Sequence, residues 1–373
     1  MKILVINWQD IRNPLAGGAE VQFHEVFRRI AAAGHSVTLY CSLFEGALNE
    51  EVLDGIRIIR RGGRRLFNYT VPLFYRERLR HEGFDVVVDD VNKIPFFTPL
   101  FVRGPLCGIV HHLFGRSIFR EVTPFSAAYV FGMERLALMI YRKYRIRFMA
   151  VSPSTVVELQ RRGFDPSRLH LVPLAVDHAK FRKTGTAKSV HPLIGYVGRI
   201  KKYKCIDVFL EALPAIRAKV PTVRAVIVGD GDDRPRLASL AKSLGVADVV
   251  EFTGYVSEES KVDWMQRMWC MVTPSSKEGW GLTVTEANAC GTPVVASDVP
   301  GLHDAVCHRQ TGMLFPFGDH AALAIDVAEI LQDKDFRDRL GLAGMEFASR
   351  FTWENAAWLT MEVLNQVVAE GKR

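Results

Sequence analysis

Strand-like apolar runs alternate with helix-like segments along almost the whole chain, and no other feature narrows the possible folds as much. An apolar run at 2–7 leads through a glycine-containing loop at 14–19 to an amphipathic segment over 21–33, which stops at Gly34. A β-branched run at 36–40 follows, and the same order recurs with runs at 85–89, 106–110, 148–151 and 169–172. After a polar stretch near 176–188 it restarts at 193–198, 223–229, 249–253, 269–273 and 293–297. Strands separated by helices pair in parallel, with the helices covering the sheet. Two such series in 373 residues predict an α/β protein of two doubly wound, Rossmann-like domains, at 1–178 and 179–352, facing a central cleft. A last segment over 353–373 is helical in pattern. Open parallel sheets bind ligands beyond the carboxyl ends of their strands, so the residues just after strands are the ones to inspect.

Charge is unevenly spread. Residues 1–180 carry 25 Lys+Arg against 17 Asp+Glu, net +8, so the +7 of the whole chain resides in the first half. Between Arg57 and Arg80 stand eight arginines (57, 60, 61, 64, 65, 76, 78, 80) and one acid, Glu77, interleaved with Leu66, Phe67, Tyr69, Leu73 and Phe74. A second basic cluster is Arg142, Lys143, Arg145 and Arg147. Such a surface attracts phosphates, nucleic acid or anionic lipid. No nucleic-acid module accompanies it, so no nucleic-acid partner is expected, and an anionic membrane is the preferred partner of the Arg57–Arg80 region. Arg103, Glu134, Arg135 and Arg142 interrupt the longest apolar stretches, which excludes a spanning helix, and the first apolar run meets polar residues too early for a secretion signal. Six scattered cysteines form no C-x-x-C pair and read as reduced thiols of a cytoplasmic protein, peripheral at most on the membrane's cytoplasmic face.

The densest chemistry follows the run at 269–273. A glycine loop holding Glu278, Gly279, Trp280 and Gly281 enters a helix near Leu282 and Thr283 that closes at Gly291. Glycines admit a ligand close to the backbone, and a helix start offers unpaired amides with partial positive charge, which favours a diphosphate. Glu278 and Glu286 supply carboxylates for paired sugar hydroxyls. Gly198, Arg199 and Lys204 follow the first strand of the second half, where cations stabilise a departing diphosphate. The pattern of Glu278 and Glu286, set in GWGL and GTPVVAS, resembles the E-x7-E signature of family 4 glycosyltransferases, and Gly198–Lys204 resembles that family's GR-x4-K motif. The family carries glycine after the lysine, where this chain has Cys205. Gly229-Asp230-Gly231 resembles the GDGP turn with Asp232 in place of proline, and Gly17-Gly18-Ala19-Glu20 resembles the GGAE opening.

The resemblance implies a retaining GT-B glycosyltransferase whose last helix crosses back to the first domain. It places Glu278 and His111 at the transferred sugar, Arg199 and Lys204 at the pyrophosphate, Glu286 at the ribose, and Tyr255 beside the nucleobase. The first domain would take the acceptor, a glycan or a lipid-linked one, and the second a nucleotide-sugar donor carrying UDP or GDP. Asp89, Asp90 and Asn92 also follow a strand and are weaker candidates for the acceptor; His112 adjoins His111. No D-x-D or His/Cys cluster suggests a metal, and no cofactor beyond the donor substrate is expected. A GT-B epimerase or phosphorylase would use the same residues differently, and a basic nucleic-acid-binding protein is a third reading.

Overall fold

Val- and Ile-rich runs that lack alternating polarity end up covered on both sides, and in the computed structural model they do so in two parallel sheets. It describes residues 1–64, 66–91, 94–120 and 122–371, and leaves out the side chains of 116 and 120. Met1–Ala175 together with the segment from Trp353 onward form one compact unit, and Val176–Thr352 form the other.

In the first unit β1 (Lys2–Ile6), α1 (Gly18–Ala32) and β2 (Ser36–Leu43) are followed by β3 (Glu50–Leu53), β4 (Ile56–Gly63) and α2 (Phe67–Glu77). Then come β5 (Val86–Asp90), β6 (Leu106–Val110), α3 (Pro124–Lys143), β7 (Arg147–Ala150), α4 (Pro153–Arg161) and β8 (Leu169–Leu171). The strand order is β3-β4-β2-β1-β5-β6-β7-β8, parallel throughout except for the β3–β4 pair. That hairpin turns at Asp54-Gly55, both in left-handed backbone, which suits a tight turn between twisted strands.

The hairpin overturns part of the charge reading. β4 lies inside the sheet, so its alternation turns Arg60 inward, where the side chain is fully buried and ion-paired with Asp10 at 2.6 Å and Glu51 at 2.7 Å. Burial alone would raise Asp10, but Arg60 outweighs it and holds the carboxyl below its ordinary value. Arg57 pairs with Glu50 and Glu82, Arg61 with Glu50, and Arg78 with Glu50. The Arg57–Arg80 run is therefore not one exposed cationic surface: the acids that neutralise half of it lie outside that window of sequence. Arg65 lies outside the described residues.

In the second unit β9 (Leu193–Val197), α5 (Ile206–Lys219), β10 (Arg224–Val228), α6 (Arg234–Ser243), β11 (Val250–Gly254) and α7 (Glu258–Arg267) lead to β12 (Cys270–Thr273). After it come α8 (Leu282–Ala289), β13 (Val294–Ser297), α9 (Leu302–Ala305), β14 (Gly312–Phe315), α10 (His320–Gln332) and α11 (Lys334–Ala348). Six parallel strands run in the order β11-β10-β9-β12-β13-β14. The order reverses between β9 and β12, and in the first unit between β1 and β5. Loops diverge to opposite faces at these points and leave a crevice for ligands.

The final helix, α12 (Trp353–Gly371), belongs to the first unit. Its Trp353, Ala356, Ala357, Val363, Leu364 and Val367 join the buried cluster of Ile3, Val5, Phe23 and Val26. Arg29 holds Glu354 at 2.8 Å, and Arg147 holds Glu370 at 2.5 Å.

Candidate active site

Every candidate residue of the second unit stands at the carboxyl edge of its sheet, and the two loops at the reversal point carry the most. After β9 the chain turns at Gly198 (φ 149°) and Arg199, held by Gly198 N–H donating to Val228 O and Ile200 N–H donating to Asp230 O, both at 2.9 Å. The Gly229-Asp230-Gly231 turn packs its backbone onto this loop. A Cβ on Gly229 would lie 2.0 Å from Gly198 O, and one on Gly231 2.0 Å from Ile200 O, so glycine is required at both. Cys205 keeps the left-handed backbone (φ 50°) that the usual glycine would supply, and α5 starts directly after it.

This path delivers Lys204 to Glu278. Lys204 Nζ stands 2.5 Å from Glu278 Oε1, and both side chains are largely covered. Burial disfavours the ammonium, but the Glu278 carboxylate beside it outweighs that and raises the lysine above its ordinary value. Ser276 fastens the two loops together by donating both its N–H and its hydroxyl to Tyr203 O, at 3.0 and 2.9 Å. From the loop after β13, Gly301 (φ 85°) presses on the same backbone: a Cβ there would come within 2.3 Å of Glu278 O. Arg199 is exposed and makes no ion pair among the described residues.

Gly281 (φ 90°) is the N-cap of α8 and has no side chain with which to cap it. Val284 N–H donates to Gly281 O at 2.8 Å, while the amides of Leu282 and Thr283 find no backbone acceptor among the described residues. These are the unpaired donors expected in the first turn of a helix. Glu286, one turn further and 5 % exposed, has Oε2 2.9 Å from Nζ of Lys261 on α7. Burial raises its pKa, and Lys261 offsets that only in part. Lys261 also lies 4.7 Å over the Phe181 ring. Tyr255, on the loop after β11, is 89 % exposed.

Sequence reasoning missed Lys261, Ser276 and Gly301. No local signal marks the first, since it reaches Glu286 from a helix 25 positions away in the chain.

In the first unit Gly17 caps α1 in extended backbone, and neither it nor Gly18 is left-handed, so conformation alone does not demand these glycines. Gly17 N–H donates to Glu20 Oε2 at 2.7 Å, and Gln9 donates to Glu20 Oε1 at 3.1 Å. Burial, with Asp90 nearby, raises the Glu20 carboxyl. His111, at the end of β6, has Nε2 2.9 Å from Gln22 Oε1 and Nδ1 3.3 Å from Asp90 Oδ1. Its neighbour His112 packs 4.3 Å from the Phe114 ring. Asp89 is not available to an acceptor: it is fully buried and accepts from the hydroxyls of Thr98 and Tyr141. Burial pushes its pKa up to about 7. Asn92 lies outside the described residues. No group of three or more His, Cys, Asp or Glu side chains that could hold a metal occurs among the described residues.

The family models described as "Glycosyltransferase Family 4" and "Glycosyl transferases group 1" match residues 16–180 and 177–347. The chain belongs to glycosyltransferase family 4. A D-inositol 3-phosphate glycosyltransferase of Streptomyces bingchenggensis is 31% identical over 270 residues, 67% of this chain and 58% of that protein. The chain thus spans less than two thirds of the length of this relative. Sucrose-phosphate synthase from Thermosynechococcus elongatus superposes with a TM-score of 0.82 at 24% identity, covering 99% of both chains. Anabaena Alr3699/HepE in complex with UDP-glucose superposes with a TM-score of 0.77 at 18% identity, covering 98% of this chain and 100% of that one. Both likenesses place this family member in the GT-B fold.

Proposed function

We propose that this protein transfers a hexosyl group, with retention at the anomeric carbon, from a nucleoside-diphosphate sugar to a glycan or lipid-linked acceptor. The observation that carries the reading is the meeting of Lys204, Glu278 and the uncapped start of α8 at the reversal point of the second sheet. Two further findings support it: family membership, and a GT-B neighbour solved with UDP-glucose, which favours a uridine donor.

The donor's diphosphate takes the amides of Leu282 and Thr283, with Arg199 beside it. Lys204 exchanges one Glu278 oxygen for a phosphate oxygen, which frees that carboxylate to accept from hydroxyls of the sugar. Glu286 accepts from the ribose hydroxyls, Tyr255 lies against the base, and His111 with the Gly17-Gly18 turn serves the transferred sugar and the acceptor. As the bond from the anomeric carbon to the phosphate oxygen breaks, its electron pair stays on the diphosphate. The acceptor oxygen then bonds to that carbon from the same face, and its proton passes to the departing phosphate. Arg199, Lys204 and the helix start neutralise the charge that grows there, and they are effective because they are fixed before the reaction. These groups carry out that neutralisation in place of a divalent metal. The scattered, mostly buried cysteines suit a reducing cytoplasm.

Transfer from UDP-, GDP- and ADP-sugars, followed with wild type and Glu278→Gln, tests the reading. One nucleotide series supports turnover, and the variant loses about a hundredfold or more in kcat, as for removal of a group that acts mainly in the transition state. Full turnover by Glu278→Gln, or turnover without any acceptor, would overturn it.

A further inference from the structure

Two neighbouring helices of the first unit are apolar on their outer faces as well as on their inner ones. α3 buries Ala127, Val130, Ala137, Leu138 and Tyr141. Its opposite face shows Phe125, Tyr129, Leu136 and Met139 to solvent at spacings of four, seven and three, with Phe125 92 % exposed. An amphipathic surface helix would carry polar residues at those positions. α2 repeats the pattern beside it with Leu66 just before the helix, then Tyr69 and Leu73, all more than half exposed. The hydroxyls of Tyr69 and Tyr129 meet at 2.9 Å, which makes the two stripes one surface. On α3 the exposed apolar side chains run from Phe125 to Met139, about 21 Å of helix.

Its rim is cationic. Arg64, Arg76 and Arg80 beside α2, and Arg135, Arg142 and Lys143 on α3, are exposed and pair with no carboxylate among the described residues. The arginines that acids neutralise are others, on β4 and at Arg78. Glu77 is the one exposed acid of α2.

We infer that this face lies on an anionic lipid bilayer. Leu, Phe and Tyr enter the boundary between headgroups and acyl chains, while the arginines remain at the level of the phosphates. A second copy of the chain fits less well, because a two-fold contact sets a patch against itself and would bring these unpaired cations together. The surface lies on the bilayer without crossing it: no helix among the described residues is long and apolar enough to span one. Binding does not depend on the proposed catalytic activity, and each can fail alone.

Sedimentation of the full chain with phosphatidylcholine vesicles, and with vesicles that also contain phosphatidylglycerol, tests the inference. The chain binds the anionic vesicles at least tenfold more tightly. Arg76→Gln with Arg80→Gln lowers that binding roughly 30-fold, about fivefold for each charge withdrawn from an anionic surface. Leu73→Ser with Phe125→Ser lowers it at least tenfold at unchanged melting temperature, since both side chains are solvent-exposed in the free protein. Equal binding to both vesicle types, or retention by the serine variant, would overturn the inference. So would a wild-type dimer that the serine variant turns into a monomer.

Discussion

Cys205 stands at a φ of 50°, where a side chain crowds the backbone and glycine does not. The resemblance puts glycine at this position, which suits such a backbone, and here Cys205 adopts it between Lys204 and the start of α5. Both Cys205→Gly and Cys205→Ala remove the sulfur, so their difference isolates the backbone conformation. The glycine variant is expected to be about 1 kcal/mol more stable to urea. An alanine variant of equal or greater stability would show that the position carries no strain. Lys261 offers a second measurement. With Lys261→Met, nothing offsets burial at Glu286, so this carboxyl holds its proton more tightly and, if it binds ribose as proposed, accepts less well from it. On the proposed function, donor KM rises about tenfold, a loss near 1.4 kcal/mol, while kcat hardly moves. A fall in kcat at constant KM would remove Lys261 from the ribose site. The placement of Glu278 in a loop and Glu286 one turn into a helix could be read from sequence, because a strand, a glycine loop and a helix start are written contiguously around them. Their lysine partners differ in this respect. Lys204 lies in a motif of its own, whereas Lys261 sits on an ordinary helix face, and only the tertiary fold brings it to Glu286.

Elements show the same divide between local and distant information. Continuous apolar runs such as those of β1, β5, β9 and β12 announce buried parallel strands, and their observed limits fall within about two residues of the runs. The β3–β4 hairpin was missed although Asp54-Gly55 is a turn signal, because the arginines of β4 read as surface. What buries Arg60 is a pair of acids at positions 10 and 51, and charge counted within a window cannot see them. β5 carries a related lesson at its carboxyl end. Asp89 closes an apolar run and so reads as available, yet it lies within β5, covered by Thr98 and by Tyr141 of α3. Its pKa rises from an ordinary 3.8 to about 7, so between those values the folded chain holds a proton that the unfolded chain has released. Stability therefore falls as pH rises through that interval, at no more than about 1.4 kcal/mol per unit, and levels off above it. Melting followed from pH 5 to 8 should show this decline in wild type and a flatter profile in Asp89→Asn. Identical slopes would mean that Asp89 does not titrate there.

At the scale of the whole molecule, one compact unit draws its residues from both ends of the chain. α12 returns to the first unit after the second has been completed, and it places six apolar side chains in the cluster built on β1 and α1. Burying a large apolar side chain contributes about 1.5–3 kcal/mol and an alanine less, so the helix supplies on the order of 10 kcal/mol of gross apolar burial. A domain is usually stable by only about 5–15 kcal/mol in total. The Arg29–Glu354 and Arg147–Glu370 pairs are partly exposed and add little. The second unit has a cluster of its own, built on β9, β10 and α5. A chain ending at Thr352 is therefore expected to lose the cooperative unfolding of the first unit while the second still melts as a block. Calorimetry would show one transition of reduced enthalpy, and hydrogen exchange would show β9, β10 and β12 protected while β1 and β5 exchange freely. Retained protection of β1 and β5 in the shortened chain would mean that the first unit folds without its returning helix. The six buried contacts would then be dispensable to it.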